Sequence, residues 1–237
     1  MTREVREAVG ESDVLRSSFD AQRDQWEQAL SERPDRFGAE ASEPARAAAD
    51  LFHQSAARGV LELGAGQGRD TLFFAEGGFN VHALDYADSG VAAIRSKVAA
   101  AGFSDRVAVD AHDVRQPLPF ADESFDACFS HMLYCMALTE RQLCVLTAEV
   151  RRVLRPGGLN VYTARTTTDP DYGKGQHRGE QLYELGGFVV HFFDSDLVGR
   201  LAEGFELVAI DEFDEGPMPR RLYRVTLRKP SNETGAR

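Results

Sequence analysis

The stretch Gly59-Val60-Leu61-Glu62-Leu63-Gly64-Ala65-Gly66-Gln67-Gly68-Arg69-Asp70 decides the fold. Its first half is short and apolar, its second half alternates glycine with other residues, and RDTLFFAEGG (69–78) follows with helical composition closed by a glycine pair. That order reads as strand, turn, helix. Glycines at 64, 66 and 68 let the backbone turn sharply and approach a ligand closely, while the helix start offers free N–H groups. The dinucleotide fingerprint GxGxxG would need glycine at position 69, where Arg69 stands, with Gly68 one place early. Glu62 in the approach to the loop would repel a pyrophosphate and suits a ligand that carries an ammonium group.

Downstream, FNVHALDY (79–86) is a second strand and places Asp85, 21 positions beyond Gly64, where an acid can accept hydrogen bonds from both hydroxyls of a ribose. SGVAAIRSKVAAAG (89–102) reads as helix, DRVAVDAHDV (105–114) and FDACFSHM (125–132) as strands, TERQLCVLTAEVRRVLRPGG (139–158) as a long helix stopped by Pro-Gly-Gly, and LNVYTAR (159–165) as strand. An irregular stretch (166–187) precedes strand-like FVVHFF (188–193) and a helix over DSDLVGRLAEG (194–204). Two last strands, FELVAIDEF (205–213) and RRLYRVTLRK (220–229), are joined by the short DEGPMP. Alternating strands and helices predict an α/β, Rossmann-like, doubly wound sheet of seven strands, mostly parallel, closed by a C-terminal antiparallel hairpin. Ligands on such sheets bind at the carboxyl ends of the strands, near the switch in strand order.

Upstream, positions 1–57 are polar and helix-prone, interrupted by SERPDRFG, and predict an N-terminal helical extension of two or three helices. Leu15, Phe19, Trp26 and Leu30 fall at helical spacing, so the single tryptophan lies on an apolar face that either docks on the core or acts as part of a lid. SNETGAR (231–237) reads as a disordered tail. The domain expectation is a cap over 1–57 and one main domain over 58–230.

Composition bounds the function. At 237 residues and 43% hydrophobic, the chain can bury one substantial core, and a formal charge of −11 argues against nucleic-acid partners and anionic membranes. A mean hydropathy of −0.35 and the polar opening MTREVREAVGESD predict neither a transmembrane helix nor a signal peptide, hence a cytoplasmic protein. Cys128, Cys135 and Cys144 lack CxxC spacing, so the expectation is reduced, buried thiols and no metal.

The loop, Asp85 and three later motifs, taken in order, resemble the class I S-adenosylmethionine-dependent methyltransferases. Those motifs are Asp110-Ala111-His112-Asp113-Val114, Phe125-Asp126 leading into an apolar strand, and Arg152-Val153-Leu154-Arg155-Pro156-Gly157-Gly158 before the next. The resemblance covers roughly residues 58 to 166. It implies S-adenosylmethionine as cofactor, with Glu62, Gly64, Ala65, Gly66 and Gly68 holding the methionine part, Asp85 and Tyr86 the ribose, Asp113 and Val114 the adenine, and Ser130 close to the methyl group. The N-terminal segment, with Trp26 and Arg33-Pro34-Asp35-Arg36-Phe37-Gly38, is similar to that of small-molecule enzymes related to tellurite-resistance and thiopurine methyltransferases. The resemblance therefore implies methyl transfer to a small molecule by a monomer or homodimer. Loop and acid alone fit equally a non-catalytic, regulatory S-adenosylmethionine-binding protein.

Methyl transfer from a sulfonium is an in-line displacement, and only a protic acceptor needs a base. His131 and Tyr134, in Ser130-His131-Met132-Leu133-Tyr134-Cys135, are the expected catalytic residues. Each has a plain structural alternative, His131 capping its strand and Tyr134 packing in the core. Trp26, Arg165, His177 and His191 are the expected acceptor-binding residues, the last three drawn from the irregular segment and its flanking strands.

Overall fold

The computed structural model describes residues 21–33, 35–216 and 219–231. A helix over 21–32 (α1) is followed by α2 (Glu43–Gln54), β1 (Gly59–Leu63), α3 (Arg69–Glu76), β2 (Asn80–Asp85), α4 (Asp88–Ala100), β3 (Val107–Ala111) and β4 (Phe125–Ser130). Then come α5 (Glu140–Val153), β5 (Leu154–Arg165), β6 (Gln176–His177), β7 (Leu182–Leu185), β8 (Phe188–His191), α6 (Ser195–Leu201), β9 (Glu206–Glu215) and β10 (Arg220–Arg228). The seven-stranded sheet has the order β3-β2-β1-β4-β5-β10-β9. Its first five strands are parallel, and β10 pairs antiparallel with both β5 and β9. The switch point lies between β1 and β4, so a crevice opens beyond Leu63 and Ser130.

Side-chain alternation divides the core between the two faces. Val60, Ala127 and Phe129 join Phe52, Phe74 and Ile94 under α2, α3 and α4, while Leu61, Leu63 and Cys128 join Leu143, Val150 and Leu201 under α5 and α6. Phe74 meets the rings of Phe52, Phe79 and Phe129 at centroid distances of 5.9, 6.0 and 5.1 Å, the spacing at which aromatic pairs add to simple burial.

Three expectations change. The 166–187 stretch is not wholly irregular: β6 and β7 pair antiparallel with each other and with β8 in a separate three-stranded sheet. Its β7–β8 turn uses Gly186 and Gly187, both at positive φ, so the glycine pair that looks like a loop is a hairpin. Helix α5 closes at Val153, and Leu154 to Gly158 already belong to β5. Cys144 is exposed, because the buried stripe of α5 runs through Leu143, Leu146, Thr147, Val150 and Val153 and position 144 lies off it. Cys128 and Cys135 are buried, as expected. Finally, Leu30 is buried and Trp26 packs on Phe188 at 4.8 Å, so α1 docks on the small sheet; Leu15, Phe19 and residues 232–237 lie outside the described residues.

Candidate active site

At the tips of β1, β2 and β4 a cavity of about 730 Å³ runs from the glycine loop to α1 and the small sheet, a size that takes a cofactor and a small partner together. The loop is shaped for close approach. Gly64 has φ +68° with Leu133 only 3.0 Å from where a Cβ would sit; Gly68 has φ +80° and the same position 2.9 Å from Ile94. Any side chain there meets both strain and a clash.

Glu62 lies one residue before the end of β1 and Asp85 ends the adjacent β2, and both are buried at this loop. The Glu62 carboxylate accepts from the Thr71 hydroxyl at 2.5 Å, and burial pushes its pKa well above the ordinary range, with Asp70 and Asp85 adding repulsion. Asp85 accepts backbone N–H groups of Gly66 (2.8 Å) and Ala87 (2.9 Å), yet burial still pushes it up to about 6. Asp113 differs: burial raises it, but the Arg115 guanidinium, clasping both oxygens at 2.6–3.0 Å, outweighs that and holds the carboxyl below its usual range. Tyr86 and Val114 line the cavity between these acids.

Gln67, an unremarked loop position in the sequence, ties the loop to the N-terminal segment. Its amide donates to the carbonyls of Leu30 (2.9 Å) and Arg33 (2.5 Å) and accepts from the Arg36 N–H (3.1 Å). Glu27 of α1 accepts from the Ser89 N–H, and Gln22 reaches the small sheet through the Gly187 carbonyl and the Val189 N–H. Helix α1 thereby bridges the glycine loop and β8 and roofs the cavity.

The far end is lined by Trp26, Met136, Leu138, Leu185, Phe188 and Val190, with His131, Arg165, Glu215 and Arg220 as polar groups. His131 follows β4; its Nδ1 is 2.9 Å from the Thr163 hydroxyl of β5 and its Nε2 lies 3.2 Å from Glu215. Arg165 is nearly buried and its guanidinium is spent on Asp169 (2.5 and 3.1 Å) and Asp171 (2.7 Å), so it brings little free charge.

Glu62, Gly64, Ala65, Gly66, Asp85, Tyr86, Asp113, Val114, His131, Trp26 and Arg165 thus share one cavity. Five expected site residues stand apart from its lining. Gly68 caps α3 against Ile94, and Ser130 is fully buried under the strand tip. Tyr134 is fully buried and stacked on Tyr162 at 4.2 Å, its hydroxyl pushed up by desolvation, so packing accounts for it. His177 is exposed on β6 and bonds the Glu180 carbonyl. His191 is buried behind the wall, bonded to the Leu138 carbonyl at 2.7 Å, with its pKa lowered by burial. Sequence reasoning missed Glu215 and Arg220, which the β9–β10 hairpin returns to the site from about 85 residues beyond His131; the turn DEGPMP gave no sign of it.

Residues 60–158 match a sequence family described as a methyltransferase domain. That span therefore carries a methyltransferase domain. Solved structures share its fold. A Burkholderia thailandensis 1,6-didemethyltoxoflavin-N1-methyltransferase, with bound 1,6-didemethyltoxoflavin and S-adenosylhomocysteine, is 22% identical, with a TM-score of 0.63 over 98% of this chain and 92% of that one. TehB from Haemophilus influenzae is 15% identical, with a TM-score of 0.65 over 86% of this chain and 67% of that one. A curated relative, Hemagglutinin 1 of Eikenella corrodens, is 29% identical over 111 residues; the match takes 46% of this chain and only 35% of that protein's length. The family match over residues 60–158 contains the glycine loop, Asp85, Asp113 and His131, whereas α1, the small sheet and the final hairpin lie outside it.

Proposed function

We propose that this protein is an enzyme that transfers a methyl group from S-adenosylmethionine to a small-molecule acceptor. One observation carries the reading. Glu62, one residue before the end of β1, and Asp85, the last residue of the neighbouring β2, are both buried and face a cavity, and neither has an ion-pair partner among the described residues. Buried carboxylates without a cation are costly, and a ligand that brings an ammonium group and ribose hydroxyls offsets that cost. The residues therefore fit this cofactor, which supplies an already activated methyl group.

The chain's part is to bind, orient and exclude water. Glu62 is set to accept from the ammonium group, Asp85 from the ribose, and Asp113 with Tyr86 and Val114 to border the adenine. Trp26 on Phe188 closes the acceptor end. The Burkholderia relative, which spans nearly the whole chain, supports a small molecule as acceptor.

The reading extends to a cytoplasmic monomer or homodimer without a nucleic-acid partner. Its support is the −11 charge; also, among the described residues, no helix is long and apolar enough to cross a membrane. Light scattering on the purified protein measures the oligomeric state. Calorimetric titration with S-adenosylmethionine and with NADH tests the central claim: heat is expected with the first only, and silence with S-adenosylmethionine overturns it.

A further inference from the structure

The contacts of His131 decide which group at the acceptor end is able to take a proton. The Thr163 side chain is fully buried, and among the described residues its hydroxyl has two neighbours, the Met132 N–H and His131 Nδ1, both at 2.9 Å. The Met132 N–H can only donate. The hydroxyl hydrogen then has Nδ1 as its acceptor, because any other direction leaves a buried donor unsatisfied. That puts the hydrogen of the neutral ring on Nε2, the nitrogen 3.2 Å from Glu215 Oε1. In this arrangement neither nitrogen of His131 is free to accept a proton, whereas the Glu215 carboxylate faces the cavity with acceptor positions to spare.

A second observation marks the same segment as held in place. Met132, directly after His131, has φ +65°, a left-handed conformation that a non-glycine residue adopts at a cost, and its N–H is pinned by Thr163. Strain of this kind persists where surrounding bonds over-determine it.

We propose that Glu215 is the catalytic base, that His131 and Thr163 are positioning residues that aim it, and that the acceptor is consequently an O–H or N–H compound. This rests on the methyltransferase reading above. As the acceptor oxygen or nitrogen forms its bond to the methyl carbon, the carbon–sulfur bond breaks and its electron pair stays on sulfur. The O–H or N–H pair stays on the acceptor atom, and the proton passes to Glu215. A carboxylate is a weak base, but an oxygen or nitrogen becomes far more acidic as it gains the methyl group, so a proton given up late suits it. A thiolate, tellurite or arsenite acceptor would give this carboxylate nothing to do.

The groups facing Glu215 are His131 after β4, Arg69 of α3 and Arg220, its register partner on β10. Burial raises the carboxyl, but the hydrogen bond from His131 and the charges of the two guanidiniums outweigh it and hold it below the ordinary range, ready as the charged base at neutral pH.

The test has two arms. Ring ¹⁵N spectra of His131 at pH 8 should show the Nε2–H tautomer; the Nδ1–H tautomer overturns the proposal whatever the acceptor. In parallel, the purified protein with saturating S-adenosylmethionine is offered phenols and ring N–H heterocycles on one side, and 2-mercaptoethanol, tellurite and arsenite on the other. Turnover is expected on the first side. Glu215→Gln should lower kcat by about 100-fold or more, with cofactor affinity by calorimetry unchanged. Arg220→Gln and His131→Ala should move the acid limb of kcat to higher pH, and His131→Asn, which keeps an amide toward Thr163, should recover part of the His131→Ala loss. Turnover confined to the second side, no turnover with any phenol or N–H ring, or wild-type kcat in Glu215→Gln each overturns the proposal. Loss of cofactor heat in the wild type would instead sink the reading beneath it.

Discussion

At the strand-tip end of the cavity Glu62 and Asp85 are buried without a cation, whereas at the far end Glu215 lies against His131 and Arg165 is clasped by Asp169 and Asp171. The first end carries charge that a ligand must complete. The second has its charges largely paired in advance and presents an apolar wall. Burial decides the contrast: the β1 and β2 tips are covered by the loop and by α1, so desolvation wins there, while the hairpin end brings arginines close enough to reverse it.

The sharpest break of the first end is steric. Gly68→Val adds a Cβ 2.9 Å from Ile94 at φ +80°, and should destabilise the fold by on the order of 3 kcal/mol in urea unfolding. An unchanged midpoint would mean the loop is not the tight frame described. Next in size, Asp85→Ala should weaken S-adenosylmethionine binding by about 1–3 kcal/mol in calorimetry, because ribose hydroxyls lose a charged acceptor.

Asp85 also sets a pH dependence of definite sign. With its pKa raised to about 6, the free protein gains stability as Asp85 takes up a proton and loses it again as pH rises through 6. A ligand that favours the carboxylate must displace that proton, so cofactor affinity should rise with pH, by up to about tenfold per unit below 6, and level off above. Asp85→Asn should flatten the profile, and a slope kept in that variant would assign it to Glu62 instead.

At the second end, Gln22→Ala removes two bonds to the β7–β8 hairpin. About 1 kcal/mol of local stability should go, read as faster amide exchange in Phe188–His191, with the acceptor KM raised and cofactor affinity kept. Smallest of all, Tyr134→Phe and His177→Ala should leave turnover within about twofold, since one side chain is core and the other is exposed and bonds the Glu180 carbonyl between β6 and β7.

The same contrast sets how much was legible in the sequence. The cofactor end is written in local order: strand, glycine loop, helix, strand, acid. Each piece lies within 30 residues of the next, so spacing alone orders Glu62, the glycines and Asp85. The acceptor end is assembled from α1, the turn after β4, the small sheet and the last hairpin, which meet only through tertiary packing. His131 was found because it follows a recognisable strand. Glu215 was not, because an acid among DEFDEGPMP looks like any solvated hairpin, and only the antiparallel return of β10 brings it to the cavity. Tyr134 misleads for the opposite reason: its neighbour Leu133 lines the cavity, while its own side chain turns to Tyr162.

Gln67 gives the cavity a latch. Its side chain holds Leu30, Arg33 and Arg36 from inside the glycine loop, so lifting the roof breaks those three bonds together and disturbs the loop that would grip the cofactor. For a ligand seated under that roof, opening would have to break all three bonds first, which couples the glycine loop to the segment above it.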